Sequence, residues 1–236
     1  MTKGVLFDFS GTLFHIEPTR EWLRAAAEEA GRVLTEEELT AYAERLEAVG
    51  AQPGGVPPRR LPAELAELWR ERDMSPGRHR AVYTALARSA VPPAPAASAR
   101  VPDLTEALYE RHRRPAAWRP YPDTASTLTA LRGRGVPVAV VSNIGWDPRP
   151  VFRAHNVYHL VESYVLSYEH GVSKPDPALF QAACDRLGLP PHEVLMVGDS
   201  APADGGAAAL GCAVHLVDGV QVDRRPDALT TVLDLV

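Results

Sequence analysis

The stretch that decides the fold is Gly4-Val5-Leu6-Phe7-Asp8-Phe9-Ser10-Gly11-Thr12-Leu13, close to the start of the chain. A run of apolar and β-forming residues leads directly into the carboxylate of Asp8, and a glycine follows three positions later. This pattern predicts a buried strand that ends in a turn, with Asp8 at the carboxyl end of the strand. Ligands of open parallel α/β sheets bind outside that edge, where a carboxylate can act as a nucleophile or hold a metal. An Asp that only caps the turn is the alternative interpretation.

The composition is typical of a soluble globular protein and sets limits on function. The chain has 236 residues, of which 45% are hydrophobic and 23% charged, enough for one large domain or a domain with an insertion. A formal net charge of −5 argues against a nucleic-acid partner, because such proteins usually carry a basic face. The sequence lacks a long apolar run and a basic, then apolar N-terminus, so we expect no membrane partner and a cytoplasmic location. The sequence is compatible with either a monomer or a homodimer.

The two cysteines, Cys184 and Cys212, are isolated and lack the spacing of a metal site. We therefore expect two reduced and mostly buried thiols. The chain has 22 prolines, with clusters at residues 53–62 and 92–102, which predict rigid, extended connections there rather than core.

Two regions of the chain differ in their predicted secondary structure. Helices are predicted at 17–31, from Thr35 onward with a capping box to Glu38, and at 63–73, 75–90 and 103–113. After Pro122, a helix at 123–134 with Asp123 as N-cap starts an alternation of helices with strands. The strands are predicted at 136–142, 164–167, 194–197 and 213–217, and the later helices at 148–155, 177–187 and 203–210. This alternation predicts right-handed βαβ units and a parallel sheet, so we expect an α/β core with a helical domain inserted after the first strand.

Polar residues end several of the predicted strands. If the strands are parallel, their carboxyl ends bring Asp8, Ser142-Asn143 and Asp199 to one edge of the sheet, within reach of the loop that bears Lys174. The hydroxyl of Ser142 and the amide of Asn143 suit phosphoryl oxygens. The repetition of this pattern predicts a functional site at that edge.

The carboxylates at this edge suit a metal ion. Asp8 and Asp199 supply hard oxygen ligands of the kind that Mg²⁺ prefers, and Asp204 could contribute directly or through a water. Lys174 lies between Ser173 and Pro175 and can offset the charge of a nucleophilic carboxylate and a bound dianion.

These motifs, in this order, resemble the haloacid dehalogenase superfamily of hydrolases. The four motifs of that superfamily are similar to Asp8 to Leu13, Ser142-Asn143, Lys174 in a Lys-Pro-Asp-Pro setting, and Gly198-Asp199-Ser200 with Asp204. The resemblance implies a Rossmann-like parallel sheet core with helices on both faces, formed by residues 1–14 and 119–236. It also implies an inserted all-helical cap domain, residues 15–118, that closes over the substrate.

The resemblance further implies a Mg²⁺-assisted attack by Asp8 and a covalent aspartyl intermediate. Catalytic roles are then expected for Asp8, Ser10, Ser142 and Lys174. Contacts with the substrate are expected from Gly11, Thr12, Asn143 and His15. The metal ligands are expected to be Asp8, the backbone carbonyl of Ser10, Asp199 and Asp204, although the helix at Asp204 is about one residue tighter than the superfamily spacing.

Ser10 is the main departure from the superfamily pattern. Most of its phosphatases have a second Asp at this position, which protonates the leaving group and then activates water. A Ser hydroxyl cannot do this near neutral pH, and such assistance is typically worth about 10²–10⁴ in rate. We therefore expect a preference for good leaving groups, or for a substrate that supplies its own proton. Dehalogenases of the superfamily have Tyr there and work without metal.

Three functions are compatible with these residues. The leading hypothesis is a Mg²⁺-dependent phosphatase of a small phosphorylated metabolite. A haloacid dehalogenase or other carbon-centred hydrolase is the first alternative, against which the acids Asp199 and Asp204 argue. A weakly active or non-catalytic member that binds a metabolite or a partner protein is the second. Basic residues could meet a substrate anion, but charge runs usually face solvent; they are Arg59, Arg60, Arg111, Arg113 and Arg114.

Overall fold

The computed structural model describes residues 2–92 and 103–236. The proline-rich connection predicted at 92–102 lies outside the described residues, apart from its first position. The chain divides into two compact units. The first unit comprises Met1–His15, Asp73–Pro76 and Arg119–Val236, and the second comprises Ile16–Arg72 and Gly77–Trp118. The assignment of residues 15–118 as a cap domain stays a prediction.

The first unit contains a parallel sheet of five strands, with helices on both faces. The strands of the described chain are β1 (Gly4–Phe7), β2 (Phe14–Ile16), β3 (Trp118–Pro120), β4 (Val138–Ser142), β5 (Ser163–Leu166), β6 (Val194–Gly198) and β7 (Ala213–Leu216). The order across the large sheet is β5-β4-β1-β6-β7, and each neighbouring pair is parallel. This architecture confirms the predicted α/β fold class. Strands β2 and β3 form a separate two-stranded sheet.

Strand β1 lies at the centre of the sheet because it is apolar on both faces. All four of its residues are buried, as expected for a strand covered by helices on each side. Phe7 lies opposite Val140 of β4 and Val197 of β6. The backbone N–H of Asp8 continues the ladder and donates to the Val197 carbonyl at 2.9 Å. The carboxyl ends of β4, β1 and β6 therefore lie side by side.

Ten α-helices lie in the described residues. They are α1 (Thr19–Glu29), α2 (Glu36–Val49), α3 (Ala66–Arg70), α4 (Pro76–Ala90), α5 (Thr105–His112), α6 (Thr124–Gly133), α7 (Arg149–Ala154), α8 (Ser167–His170), α9 (Pro177–Leu187) and α10 (Ala201–Asp204). Within the described chain, none of them is both long and apolar enough to cross a lipid bilayer.

The second unit is built from helices that bury one apolar face each. The core of this unit includes Trp22 of α1, Tyr42 of α2, Leu86 of α4 and Leu108 of α5. The predicted capping box of α2 is confirmed. Its Thr35 hydroxyl accepts the Glu38 N–H at 3.2 Å, and the Glu38 carboxylate accepts the Thr35 N–H at 2.8 Å.

Several local predictions were wrong. The helix predicted at 63–73 is a 3-10 turn, a five-residue helix and a second 3-10 turn, and the helix predicted at 203–210 is 3-10 from Gly205 onward. Strands β2 and β3 have three residues each, too few to produce a recognisable alternation. Asp123 occupies the N-cap position of α6 but its side chain does not cap that helix. Its carboxylate instead accepts the N–H of Leu229 at 2.6 Å, because the C-terminal 3-10 segment Ala228–Asp234 packs beside it.

Candidate active site

A buried lysine joins two carboxylates at the carboxyl edge of the sheet. Asp8 follows β1, and its Oδ1 lies 2.8 Å from Lys174 Nζ. The same Nζ lies 2.6 Å from Oδ1 of Asp204. Lys174 is 5% exposed and Asp204 is fully buried, so these charges interact with little screening by solvent. The sequence prediction that Lys174 would reach Asp8 agrees with this contact.

The loop that bears Lys174 is held by Asn143, which follows β4. The Asn143 amide donates to the Lys174 carbonyl at 2.9 Å, and its Oδ1 accepts the Lys174 N–H at 2.7 Å. Because both ends of the amide are occupied, Asn143 supports the loop. The contact that we predicted between Asn143 and substrate stays a prediction.

Asp199 follows β6 and packs directly against the turn after Asp8. The Thr12 hydroxyl donates to Asp199 Oδ1 at 3.3 Å. Gly11 has φ +82°, and a Cβ at this position would lie 2.2 Å from Asp199 Oδ2. Only glycine satisfies both the backbone conformation and this close approach.

A second glycine, which the sequence analysis missed, packs against the same carboxylate. A Cβ at Gly219 would lie 2.3 Å from Asp199 Oδ2. Gly219 follows β7, so the rule that ligand-binding residues follow parallel strands could have identified it.

The acidic side chains fit a divalent cation. Asp8, Asp199 and Asp204 each offer a carboxylate oxygen, and these oxygens lie within 4.8 Å of one another. Oxygen donors of this kind suit Mg²⁺. Both oxygens of Asp204 already have partners, since Oδ1 contacts Lys174 and Oδ2 accepts the Ser200 N–H at 2.9 Å. These contacts favour Asp8 and Asp199 as direct ligands and a supporting role for Asp204.

The electrostatics of the site follow from its burial and its excess of acids. Burial raises the pKa of Asp8 to about 7; Lys174 opposes the shift, while Asp204 and Asp199 add to it. The pKa of Asp199 is also raised, by burial and by Asp204. Burial would lower the pKa of Lys174, but Asp8 and Asp204 outweigh it and the pKa is raised. A cation near these carboxylates would stabilise their charged forms.

The other residues that we predicted for the site lie nearby in the chain, and their roles stay predictions. Ser142 is the last residue of β4, is buried and lies opposite Leu166 of β5. Ser10 is half-buried and forms a backbone bridge with Phe14. The ring of His15, in β2, packs edge-on against Tyr121, with 6.2 Å between ring centroids.

Two further features near the site had no signal in the sequence. Aromatic rings pack behind the first motif: Phe9 contacts Phe14, Trp146 and Phe152 with centroids 5.4–6.1 Å apart. Arg225, far along the chain, is buried and donates to the Gly11 carbonyl at 2.7 Å. Nothing in the local pattern around Arg225 indicates this contact.

Comparison with known proteins gives the class to which this fold and site belong. A family model described as haloacid dehalogenase-like hydrolase matches residues 2–211. The chain therefore belongs to the haloacid dehalogenase-like hydrolases, as the resemblance of its motifs predicted.

Relatives in this family include both phosphatases and dehalogenases. A glyceraldehyde 3-phosphate phosphatase of Methanopyrus kandleri is 31% identical over 209 residues, 86% of this chain and 78% of the relative. (S)-2-haloacid dehalogenase 1 of Pseudomonas sp. (strain CBS-3) is 39% identical over 92 residues, so the match covers 39% of this chain and 40% of the dehalogenase. A crystal structure of a dehalogenase with an intermediate complex has a TM-score of 0.66 and 21% identity, covering 100% of this chain and 97% of that one. The structural likeness shows the fold.

Proposed function

We propose that this hydrolase is a Mg²⁺-dependent phosphatase that acts on a small phosphorylated metabolite. The observation that carries the proposal is the cluster of carboxylate oxygens of Asp8, Asp199 and Asp204, within 4.8 Å of one another beside the buried ammonium of Lys174. This excess of negative charge favours binding of a divalent cation. The identity to a glyceraldehyde 3-phosphate phosphatase along 86% of the chain also supports phosphate as the group transferred.

The reaction that we propose proceeds through a covalent intermediate on Asp8. A carboxylate oxygen of Asp8 attacks phosphorus, the bond from phosphorus to the leaving-group oxygen breaks, and an aspartyl phosphate forms. Water then attacks the phosphorus, which releases phosphate and restores the carboxylate. Lys174, 2.8 Å from Asp8, offsets negative charge throughout. Asp8, Asp199 and the backbone carbonyl of Ser10 would hold Mg²⁺, which when bound neutralises charge on the phosphoryl oxygens.

Ser10 determines which leaving groups the enzyme can use. Its hydroxyl cannot protonate a departing alkoxide near neutral pH, so we expect acyl and aryl phosphates to be hydrolysed faster than alkyl phosphates. Within this proposal, residues 15–118 form the cap domain that selects the substrate.

A dehalogenase is the second candidate function. The 39% identity to (S)-2-haloacid dehalogenase 1 over 92 residues favours it. The acidic cluster argues against it, since attack on carbon with loss of halide has no need of a metal site. Activity on 2-haloacids that survives EDTA would establish this alternative over the phosphatase.

The test is a phosphate-release assay over acyl, aryl and alkyl phosphates, with Mg²⁺ or with EDTA. We expect release from acyl and aryl phosphates that needs Mg²⁺ and is abolished in Asp8→Asn. Asp234→Asn is the matched control, because Asp234 is exposed and its loss should leave turnover unchanged. Equal turnover of alkyl esters would contradict our account of Ser10, and turnover that ignores both EDTA and Asp8→Asn would overturn the proposed function.

A further inference from the structure

The C-terminal part of the chain returns to the turn that follows Asp8. Arg225 is 4% exposed, and its Nη1 donates to the carbonyl of Gly11 at 2.7 Å and to that of Asp218 at 3.0 Å. Its Nη2 donates to the carbonyl of Thr12. One guanidinium group therefore binds two consecutive carbonyls of the first motif. The family match ends at residue 211, so the contact comes from a segment that the family description does not cover.

The guanidinium group is kept in place by an aromatic ring. Arg225 lies over the ring of Tyr121, with its Cζ 3.2 Å from the ring centroid. The Tyr121 hydroxyl donates to the Val220 carbonyl at 2.6 Å, so the ring is itself fixed by the C-terminal segment. Cation–π contacts of this kind are strongest where water is excluded. The Tyr121 ring, fixed in this way, orients the guanidinium of Arg225 toward the first motif.

The guanidinium of Arg225 is buried among backbone carbonyls and an aromatic ring. Among the described residues, no Asp or Glu lies within salt-bridge distance of Arg225, and its Nε is buried without a hydrogen-bond partner. Burying a charge in this way costs free energy, because carbonyl oxygens replace its hydration only in part. An arrangement with such a cost at the edge of the candidate active site points to a role in holding that site.

Arg225 binds residues in two segments that also pack against Asp199. Thr12 is bound on two sides, by Arg225 at its carbonyl and by Asp199 at its hydroxyl. In the second segment, the Asp218 carbonyl accepts a hydrogen bond from Arg225, and the next residue, Gly219, packs against the Asp199 carboxylate. Because a peptide unit is planar, fixing the carbonyls of Gly11 and Thr12 also fixes the peptide N–H groups that follow them. These contacts thus fix the position of the turn after Asp8 relative to the carboxylate of Asp199.

We propose that Arg225 is a positioning residue, which holds the turn after Asp8 and the side chain of Asp199 in the arrangement needed for attack on the substrate. This proposal rests on the phosphatase function proposed above. Loss of the guanidinium should reduce turnover by roughly 10–100-fold, since small displacements of reacting groups have effects of this size. Substrate binding should change much less, because Arg225 does not itself contact the substrate.

The test compares Arg225→Met and Arg225→Lys with the control Arg224→Met, which alters the exposed neighbouring arginine. Kinetics are measured on an aryl phosphate with Mg²⁺, and folding is followed by circular dichroism. We expect Arg225→Met to lower kcat roughly 10–100-fold with KM changed less than about threefold. Arg225→Lys, which keeps the charge but binds one carbonyl at a time, should recover part of the loss. Arg224→Met should match the wild type.

A second measurement separates this proposal from the proposed function. Amide hydrogen exchange of residues 9–14 should accelerate in Arg225→Met and stay unchanged in Arg224→Met, whether or not phosphate is the substrate. A wild-type kcat in folded Arg225→Met, unchanged exchange in that turn, or a kcat loss matched by KM would overturn the proposal. If Arg225→Met does not fold, the same readouts on Arg225→Lys decide, and a wild-type kcat there with wild-type exchange would overturn it. Faster exchange in a protein whose wild type releases no phosphate would instead overturn the phosphatase function.

Discussion

The two units of the molecule differ in how their buried charges are paired. In the first unit, carboxylate oxygens of Asp8, Asp199 and Asp204 lie within 4.8 Å of one another, and the ammonium of Lys174 pairs with Asp8 and Asp204. In the second unit, Arg111 donates to both carboxylate oxygens of Glu17 at 2.8 Å.

The network of the second unit is balanced in charge. Arg111 also contacts Glu29 at 2.9 Å, and Arg114 lies 3.4 Å from the same carboxylate. Two guanidinium groups thus face two carboxylates, and the bidentate geometry of Arg111 satisfies the buried Glu17.

This difference indicates which buried charges are expected to belong to a functional site. In a balanced buried ion pair, each charge is neutralised by its partner, and the pair has a structural role. An unbalanced cluster carries an excess of one charge, which a bound proton or cation can neutralise, and perturbed carboxylates of that kind are common at functional sites. The raised pKa values of Asp8 and Asp199 fit the candidate active site that we place in the first unit.

The largest expected effect breaks the unbalanced cluster. We expect Lys174→Met to lower kcat on an aryl phosphate by roughly 10²–10³-fold, because the charge of nucleophile and substrate is no longer offset. The variant should also be less stable by about 3–5 kcal/mol in urea unfolding, since buried carboxylates lose their partner. Lys3→Met removes an exposed ion pair with Glu193 and is the control, with turnover and stability close to wild type. A Lys174→Met enzyme with kcat within twofold of wild type would contradict the comparison.

The second prediction breaks the balanced network. Arg111→Met should lower the free energy of unfolding by about 3 kcal/mol, because it leaves the buried Glu17 without its partner. The double variant Glu17→Gln with Arg111→Met should recover part of this loss, since no unpaired charge remains. Turnover per folded molecule should be unchanged, which separates structural charge from reactive charge. Arg80→Met, at an exposed ion pair with Glu110, is the control for simple loss of an arginine. A double variant as unstable as the single one would show that charge balance is not the cause.

The smallest expected effect concerns the pH dependence of the second unit. Burial lowers the pKa of His79 to about 3, with further lowering by Arg72 and Arg113. The unfolded chain titrates this group near its ordinary value of 6.5, so only the unfolded state binds the proton between these values. His79 therefore reduces stability progressively as pH falls below about 6.5, by about 2 kcal/mol between pH 7 and pH 5.

The check is urea unfolding of wild type, His79→Gln and the exposed-site control His159→Gln at pH 7 and pH 5. His112, fully buried and also lowered in pKa by burial, adds a second proton of the same sign. His79→Gln should therefore lose only its own share of the pH dependence, and His159→Gln should keep all of it. An unchanged pH dependence in His79→Gln would contradict the assigned pKa.

Some of these features are predictable from the sequence and others are not. It placed Asp8, Asp199 and Lys174 at one edge of a parallel sheet, and the contact between Asp8 and Lys174 agrees with this. The expectation that both cysteines are buried is confirmed, and both are free thiols in the structure. The expectation that Arg111 faces solvent was wrong, because its side chain is 11% exposed and paired with Glu17. A charge run does not reveal partners 94 residues away.

What the sequence by itself determined is the order of strands and helices and the polar residues at the strand ends. Those signals are local: they depend on apolar periodicity and on residues a few positions apart. Only the tertiary structure decided that Asp204 is held by Lys174, that Asp123 binds the C-terminal segment, and that Arg225 contacts the turn after Asp8. Each of these contacts needs the chain to be folded before the two groups meet, so no local pattern of residues records it.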